Sequence, residues 1–533
     1  MPLAARLRTY AGFLSGIPHF VRHPISTEDA KAAVRHRLAE REHAFLRFAE
    51  TVLFAAPRSP YPRLFQLAGC EQGDLTALVH KQGLDAALLA LRRAGVYVSF
   101  EEFKGRTPFV RNGREIPSRP SDFANPFLSR RFVGKTSGST GIAGSAGIAL
   151  GHLAIQSEHR LLALDAHDLM GARSALWRPI LPAGVGLNNV LRGARIGQAP
   201  LKWFVPGGDN GRIAPLKYRL ATAAAIAMGR MAGVRLPAPE SVPLDDAVRI
   251  ARWMANQRDQ AGRVYLNTTV SSAVRVAIAA QDHKIDLSGT TFLVGGEPST
   301  SAKIDRIRSS GANCFSDYGM VETGRIAVGC ARPASDGDLH VLSDIFALVP
   351  YQRSVAGTTR LVNSFHVTTF TPESPTLLLN VEFDDEGVVE ERSCGCPLET
   401  IGFRTHVRDI RSYGRLTGEG VTLVGTEMVR LLEEVLPAQF GGSPLDYQLV
   451  EEEDEKGFTR LTLVVSPQIT GSDGALCGAV FSALSREDGA AEMARGLWQQ
   501  AGTLRVRRSQ PLVSERGKQP SFRSARTGQA GRP

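Results

Sequence analysis

The run Thr291-Phe292-Leu293-Val294 constrains this chain more than any other stretch. It is short, aromatic and β-branched and shows no polar alternation, the pattern of a strand buried on both faces. Gly295-Gly296-Glu297-Pro298 follows as a turn, residues 299–309 read as a helix behind a Ser/Thr cap, and residues 312–316 as the next strand. A strand, a crossover helix and a second strand belong to a parallel sheet. Ligands of such sheets sit at the carboxyl ends of the strands, so Glu297 and the Asp317-Tyr318-Gly319 turn are both expected at a binding edge.

The rest of the chain is organised around this unit. Past residue 130, β-like and helix-like stretches alternate, so the expected class is α/β, with mixed and mostly parallel strands plus helices. The preceding part reads as helical, with amphipathic periodicity over residues 27–54 and 74–93. A short strand, Val96-Tyr97-Val98-Ser99-Phe100, follows, and Pro108, Pro117, Pro120 and Pro126 mark an extended connection. The apolar run 221–231 contains Gly229 and Arg230 and is too short to span a bilayer, so it is read as a buried helix. Beyond Leu416 the texture becomes that of a small α+β unit: helices over 426–436, 475–483 and 489–501, strands over 446–451, 459–466 and 503–508. A hinge is expected near Gly414-Arg415. It separates a large domain, 1–413, from a small mobile one, 414–533, whose tail from 524 is expected to be disordered.

Charge narrows the partner classes. Lys and Arg number 63 against 53 Asp and Glu, a formal +10 that invites a polyanionic partner. Its placement argues otherwise. Residues 1–50 hold eight basic and five acidic residues, and residues 505–533 eight basic and one acidic, so the span 51–504 is neutral. That span has no groove-length basic run interleaved with aromatics, which argues against nucleic acid. Residues 3–20 include Arg6, Arg8, Gly12 and Pro18 and read as neither a spanning helix nor a secretory signal. Six cysteines in a chain this long do not make a disulfide scaffold. A cytoplasmic protein without a transmembrane segment is expected, with a homodimer allowed.

Two local motifs carry chemistry. In Lys135-Thr136-Ser137-Gly138-Ser139-Thr140-Gly141, glycines let the backbone approach a ligand while amides and hydroxyls suit polyphosphate oxygens. Alone, such a loop is as readily a surface turn. No Gly-Lys-Ser/Thr follows at Walker spacing, which disfavours P-loop chemistry. In Asp317-Tyr318-Gly319-Met320-Val321-Glu322, an aromatic face, a glycine and a carboxylate able to hold Mg²⁺ come together.

Taken with Gly295-Gly296-Glu297-Pro298, Gly414-Arg415 and Arg516-Gly517-Lys518, these segments resemble the adenylate-forming (acyl-activating) superfamily, and within it the phenylacetate–CoA ligase group. The resemblance covers residues from about 130 to the C-terminus. It implies that residues 136–141 hold the β- and γ-phosphates of ATP, that Gly296, Glu297 and Pro298 flank the adenine and that Tyr318 stacks on it. It further implies that Glu322 binds Mg²⁺, that Asp385, or its neighbour Asp384, binds the ribose, and that Arg415 is the hinge-side arginine. Lys518 matches the mobile lysine that contacts the carboxylate and α-phosphate. Thr136, Glu322 and Lys518 are the implied catalytic residues; Ser137, Gly138, Ser139, Thr140, Gly141, Asp317 and Gly319 complete the nucleotide site. Two departures stand out: Ile142-Ala143-Gly144 lacks the lysine that many members carry after the loop, and Arg415-Leu416-Thr417 lacks the usual Asp/Lys pivot.

Cys330, His340, Cys394 and Cys396 form a further constellation. Cys-X-Cys with a distant Cys and His supplies four ligands of the kind that hold structural Zn²⁺, and the same group has members with a similar arrangement. The spacing is not a standard finger; reduced cysteines beside a surface histidine are the alternative. Cys70, Cys314 and Cys477 are expected in the interior. The acid would lie along residues 177–189 and 265–275, with Asn188 or Asn189 near its carboxylate; Trp203 and Phe204 are read as core.

The implied activity is that of an ATP-dependent ligase: an aryl or small carboxylic acid is converted to acyl-AMP and pyrophosphate, then passed to a thiol, foremost coenzyme A. An amide synthetase, a carrier-protein acylating enzyme, and a nucleotide-binding protein without chemistry are the alternatives.

Overall fold

A computed structural model describes residues 3–56, 58–128, 131–135, 145–207, 214–297, 299–354, 361–412, 415–418, 421–424, 431–442, 446–484, 496, 498–511 and 522–525. Side chains at 131–135, 145–148 and 415–424 are not described. The N-terminal part is helical, but the two long amphipathic stretches each divide. Thr27–Ala39 gives way to Arg41–Phe48 at Glu40, and Gln72–Gln82 to Leu84–Arg93 at Gly83, whose φ of 79° is open to glycine.

The expected strand at 96–100 does not form. Val98 makes an isolated parallel bridge to Val381, while Ser99 and Glu102 close a capping box on the helix Phe100–Phe103. The Ser-x-x-Glu signal outweighs the β propensity of Val-Tyr-Val. Within the proline-marked connection, a hairpin Phe109–Arg111/Arg114–Ile116 turns on Asn112-Gly113, both at positive φ. Asn-Gly is the sequence signal for that turn.

A 12-stranded sheet organises the chain between Arg173 and Ser412. Its strands are β1 (Arg173–Trp177), β2 (Lys202–Gly207), β3 (Pro239–Pro243), β4 (Val264–Thr268), β5 (Thr290–Gly295), β6 (Asn313–Met320), β7 (Gly324–Gly329), β8 (Leu339–Val341), β9 (Phe346–Ser354), β10 (Leu361–Thr369), β11 (Val381–Glu391) and β12 (Thr405–Ser412). The order is β9-β10-β11-β12-β8-β7-β6-β5-β4-β1-β2-β3. The run from β3 to β6 is parallel, and every pairing from β6–β7 onward is antiparallel. The sheet is therefore only half parallel. Helix α1 (Leu150–Ala166) enters β1, and the parallel strands are joined through α2 (Val185–Arg195), the helices Leu216–Met231 and Ala247–Ala261, α3 (Val270–Asp282) and α4 (Ser301–Arg308), whereas β6 and β7 turn directly into one another.

The Asp317-Tyr318-Gly319 turn expected after residue 316 is part of β6. A bulge falls between Tyr318 and Gly319, and the chain reverses over 321–323 instead. The helix expected at 221–231 runs over Leu216–Met231 and buries only one face, through Thr222, Ala225, Ile226 and Gly229; Leu216, Leu220 and Met231 are exposed.

Among the described residues the C-terminal α+β unit holds a four-stranded sheet, β13 (Tyr447–Glu453), β14 (Thr459–Val465), β15 (Leu504–Arg508) and β16 (Phe522–Ala525), in the order β15-β14-β13-β16. Its own core includes Leu432, Leu449, Leu463, Val480 and Trp498. β16 takes in Ser524 and Ala525, which the sequence reading assigned to a disordered tail. The helix expected at 426–436 is described from residue 431, as a π turn Leu431–Val435 running into Leu436–Phe440; most of that expected at 489–501 lies outside the described residues. The unit leans on α3 and α4: Lys303 Nζ donates to Thr459 at 2.9 Å, and Arg275 lies 4.4 Å over the Phe458 ring.

Candidate functional site

The carboxyl ends of β1, β4, β5 and β6 lie side by side, and β11 brings Asp385 to them. The Tyr318 hydroxyl donates to Asp385 Oδ2 at 2.9 Å, and its ring stands edge-on to Phe365 with centroids 6.2 Å apart. Side chains alternate along a strand, so Asp384 belongs to the opposite face and Asp385 is the aspartate of this edge. Gly296 holds φ 89° immediately after β5, a conformation that lets the chain turn off the strand end. Glu297 turns toward α3, where Oε2 accepts from the Ser271 amide at 2.9 Å and hydroxyl at 2.6 Å, anchoring the turn to a helix N-terminus. Asp317 ion-pairs with the Arg325 guanidinium across the β6–β7 hairpin.

Glu322 is half-buried and takes the Lys104 ammonium at 2.6 Å. Lys104 was not legible as a site residue: it follows a four-residue helix 218 positions earlier, and no motif marks it. Thr136, Ser137, Gly138, Ser139, Thr140, Gly141, Pro298 and Lys518 lie outside the described residues, as does Gly414; Arg415 begins a short strand, Arg415–Gly418, without a described side chain. Trp203 and Phe204 are core, at 0% and 2% exposure, as read. Asn189 accepts from Arg160 and Arg192 on one oxygen at 3.0 and 3.1 Å.

A second centre lies farther along the sheet. Cys330, His340, Cys394 and Cys396 bring one ligand atom each to within 4.8 Å of one another. Cys330 follows β7, His340 is in β8, and Cys394 and Cys396 precede the short helix Pro397–Ile401. His340 Nε2 lies 3.1 Å from Cys396 Sγ and 3.7 Å from Cys394 Sγ, and its Nδ1 donates to the Phe403 carbonyl at 2.9 Å. Tetrahedral zinc with Zn–S of about 2.3 Å and Zn–N of about 2.0 Å spaces its ligands roughly 3.5–3.8 Å apart, so the donor set fits such an ion. The Phe403 carbonyl fixes the histidine tautomer with Nε2 toward the sulfurs. A hydrogen bond from Cys330 holds the Cys396 thiol below its ordinary value, against the burial that would raise it. His340 is fully buried, not a surface histidine; Cys70, Cys314 and Cys477 are half-buried, not interior.

No family model and no curated protein matches the chain. Among solved structures it is similar to an open conformation of 2-hydroxyisobutyryl-CoA ligase in complex with 2-HIB-AMP and CoA, at 15% identity over 90% of this chain and 93% of that one, with a TM-score of 0.39. It is also similar to an NRPS protein containing adenylation and PCP domains, at 14% identity over 93% and 97% of the two chains and a TM-score of 0.38. Apo MatB from Rhodopseudomonas palustris matches at 14% identity over 76% and 68%, with a TM-score of 0.32. No described helix is long and apolar enough to cross a membrane.

Proposed function

We propose that this chain is an adenylate-forming carboxylic acid ligase, using ATP to make acyl-AMP and pyrophosphate and then passing the acyl group to a thiol, foremost that of coenzyme A. The observation that carries the reading is the Tyr318–Asp385 pair at the carboxyl edge of parallel strands, 2.9 Å apart across 67 residues of sequence. The two residues that the superfamily resemblance assigns to adenine and ribose, taken from separate motifs, meet there.

In this reading Tyr318 offers a ring face to the base and Asp385 a carboxylate to the ribose hydroxyls. Glu322, which already holds an ammonium, is a carboxylate suited to Mg²⁺; the ion would neutralise phosphate charge. A carboxylate oxygen of the acid attacks the α-phosphorus and pyrophosphate leaves. The donors of residues 136–141 and the Lys518 ammonium stabilise the negative charge that builds up. No covalent nucleophile of the protein is used. Rotation of a C-terminal domain, 414–533, about Arg415 would then expose the adenylate to the thiol. The Cys330, His340, Cys394 and Cys396 group is assigned to a structural Zn²⁺ that clips the β7–β8 connection to the loop after β11.

Purified protein incubated with ATP, Mg²⁺ and a panel of aryl, short-chain and dicarboxylic acids, with and without CoA, tests the reading. Acid-dependent pyrophosphate and a CoA thioester are expected. Pyrophosphate without thioester would move the acceptor to an amine or a carrier protein, and no pyrophosphate with any acid would leave a binding protein.

A further inference from the structure

Behind the Tyr318 edge lies a group of four arginines, Arg160 from α1, Arg178 just past β1, Arg192 from α2 and Arg325 from β7, none more than 7% exposed. The carboxylates set among them are Asp317 and Glu297. Among the described residues, four buried cations thus face two anions. Buried charge is ordinarily paired, and a guanidinium does not escape by losing its proton. Burial pulls Arg178, Arg192 and Arg325 all below their ordinary value, and neighbouring arginines add to the shift, as expected of cations crowded away from water.

The geometry shows where the missing charge belongs. Arg160, Arg192 and Arg325 converge on one uncharged atom, Asn189 Oδ1, at 3.0, 3.1 and 3.5 Å. Among the described residues, Arg192 Nε and Arg325 Nη1 are buried without a hydrogen-bond partner, and so are the acceptors Asp317 Oδ1 and Asn188 Oδ1. Gln156 fixes the Arg192 end, accepting at 2.9 Å while donating to the Thr323 and Arg325 carbonyls at 3.1 Å. Arg178 ties the group to the strand ends: it donates to Asn267 Oδ1 at 3.0 Å, to the Gly295 carbonyl at 3.2 Å and to the Thr268 carbonyl. These are the carboxyl ends of β4 and β5, beside Tyr318.

We infer that the arginine group is the seat of a second anionic group on the acid substrate, so that the acid is a small dicarboxylate bound by one carboxylate at Arg160, Arg192 and Arg325 and activated at the other. Arg192 Nε and Arg325 Nη1 are left over as donors for the oxygens of a carboxylate, and its charge halves the imbalance. The inference rests on the ligase reading for its chemistry, but the anion site is testable without it.

The test uses the full chain without nucleotide. Calorimetry and thermal unfolding are run with malonate, succinate and glutarate, with monocarboxylates of equal length, and with inorganic pyrophosphate and AMP. One of the dicarboxylates is expected to bind and raise the midpoint while its monocarboxylate does not. Arg192→Met and Arg325→Met are each expected to weaken that binding by about 10- to 100-fold, the loss of a charged hydrogen-bonding partner. Arg192→Met is also expected to be at least as heat-stable as the unliganded parent, because Arg192 has no carboxylate partner, whereas Arg325→Met also strands Asp317 and is expected to be less stable. Arg192→Lys keeps the charge and is read alongside them. Equal response to mono- and dicarboxylates, dicarboxylate binding that survives both Met variants, or a site filled by pyrophosphate or AMP alone would overturn the inference. Dicarboxylate binding without pyrophosphate release from any acid keeps the site and removes the ligase reading. Pyrophosphate from monocarboxylates without dicarboxylate binding does the reverse.

Discussion

Replacing Cys394 by serine removes one of four ligands from the proposed zinc clip while leaving a side chain of similar size. A structural zinc site contributes about 10–16 kcal/mol of apparent binding free energy, so one ligand of four carries about 3 kcal/mol, or about 150-fold in affinity. Several features let most of that loss appear in Cys394→Ser. Cys394 Sγ lies 3.7 Å from His340 Nε2, and its amide is already held by Glu399 at 2.9 Å, so the loop does not depend on the sulfur for its backbone bonds. Elemental analysis of purified full-length protein is expected to give about one zinc per parent chain and well under half of that in the variant after dialysis against a chelator. Because the clip joins β7, β8 and the loop after β11 within one sheet, the unfolding midpoint is expected to fall by about 5 °C or more. A chelator should shift the parent midpoint and leave that of the variant where it is. Parent protein that is folded, metal-free and indifferent to chelator would refute the reasoning.

Other expectations follow from single contacts. Tyr318→Phe deletes a hydrogen bond to a carboxylate, a contact that contributes about 1.5–3 kcal/mol, and should raise KM for ATP about 10-fold or more while kcat changes less; an unchanged KM in steady-state assays would separate the pair from nucleotide binding. Lys518→Ala should lose most adenylation yet keep ATP affinity by calorimetry, and equal loss of both would mean its role is misassigned. Burial alone would raise the Asp344 carboxyl, but His159 at 2.8 Å and Arg37 at 2.8 Å outweigh it and hold it below its ordinary value. Its stabilisation is therefore full above about pH 4 and is lost as pH falls through the depressed value. Asp344→Asn should be less stable at pH 7 in urea unfolding and should show a shallower loss from pH 4 to 2; parallel acid limbs would contradict this.

How far the sequence reveals this arrangement depends on whether a feature is local. The β5–α4–β6 unit is legible because a buried parallel strand writes an apolar run and its helix writes a cap, and the observed Thr290–Gly295, Ser301–Arg308 and Asn313–Met320 lie close to the reading. The antiparallel half is less so: β7 to β12 pair across loops that leave no crossover helix to announce them. Tyr318 and Asp385 are each readable as motif residues, yet their hydrogen bond depends on β11 being carried back along the sheet. The arginine group shows the limit most clearly. Arg160, Arg178, Arg192 and Arg325 sit in four unrelated stretches, two of them on helices where an arginine usually faces water, and only packing brings them together, three of them onto Asn189. Lys104 is hidden for the same reason. The cysteines are the opposite case, since Cys-X-Cys carries its chemistry in its spelling and folding has only to add Cys330 and His340.

The central claim is that a carboxylic acid is activated as its adenylate at the Tyr318–Asp385 edge. Exchange of labelled pyrophosphate into ATP measures that half-reaction alone, independent of the acceptor. Exchange that appears only when an acid is added, and that falls about 10-fold or more in Asp385→Ala at fixed subsaturating ATP, is the expected result. Exchange absent with every acid tried, or present and unaltered in Asp385→Ala, would contradict it.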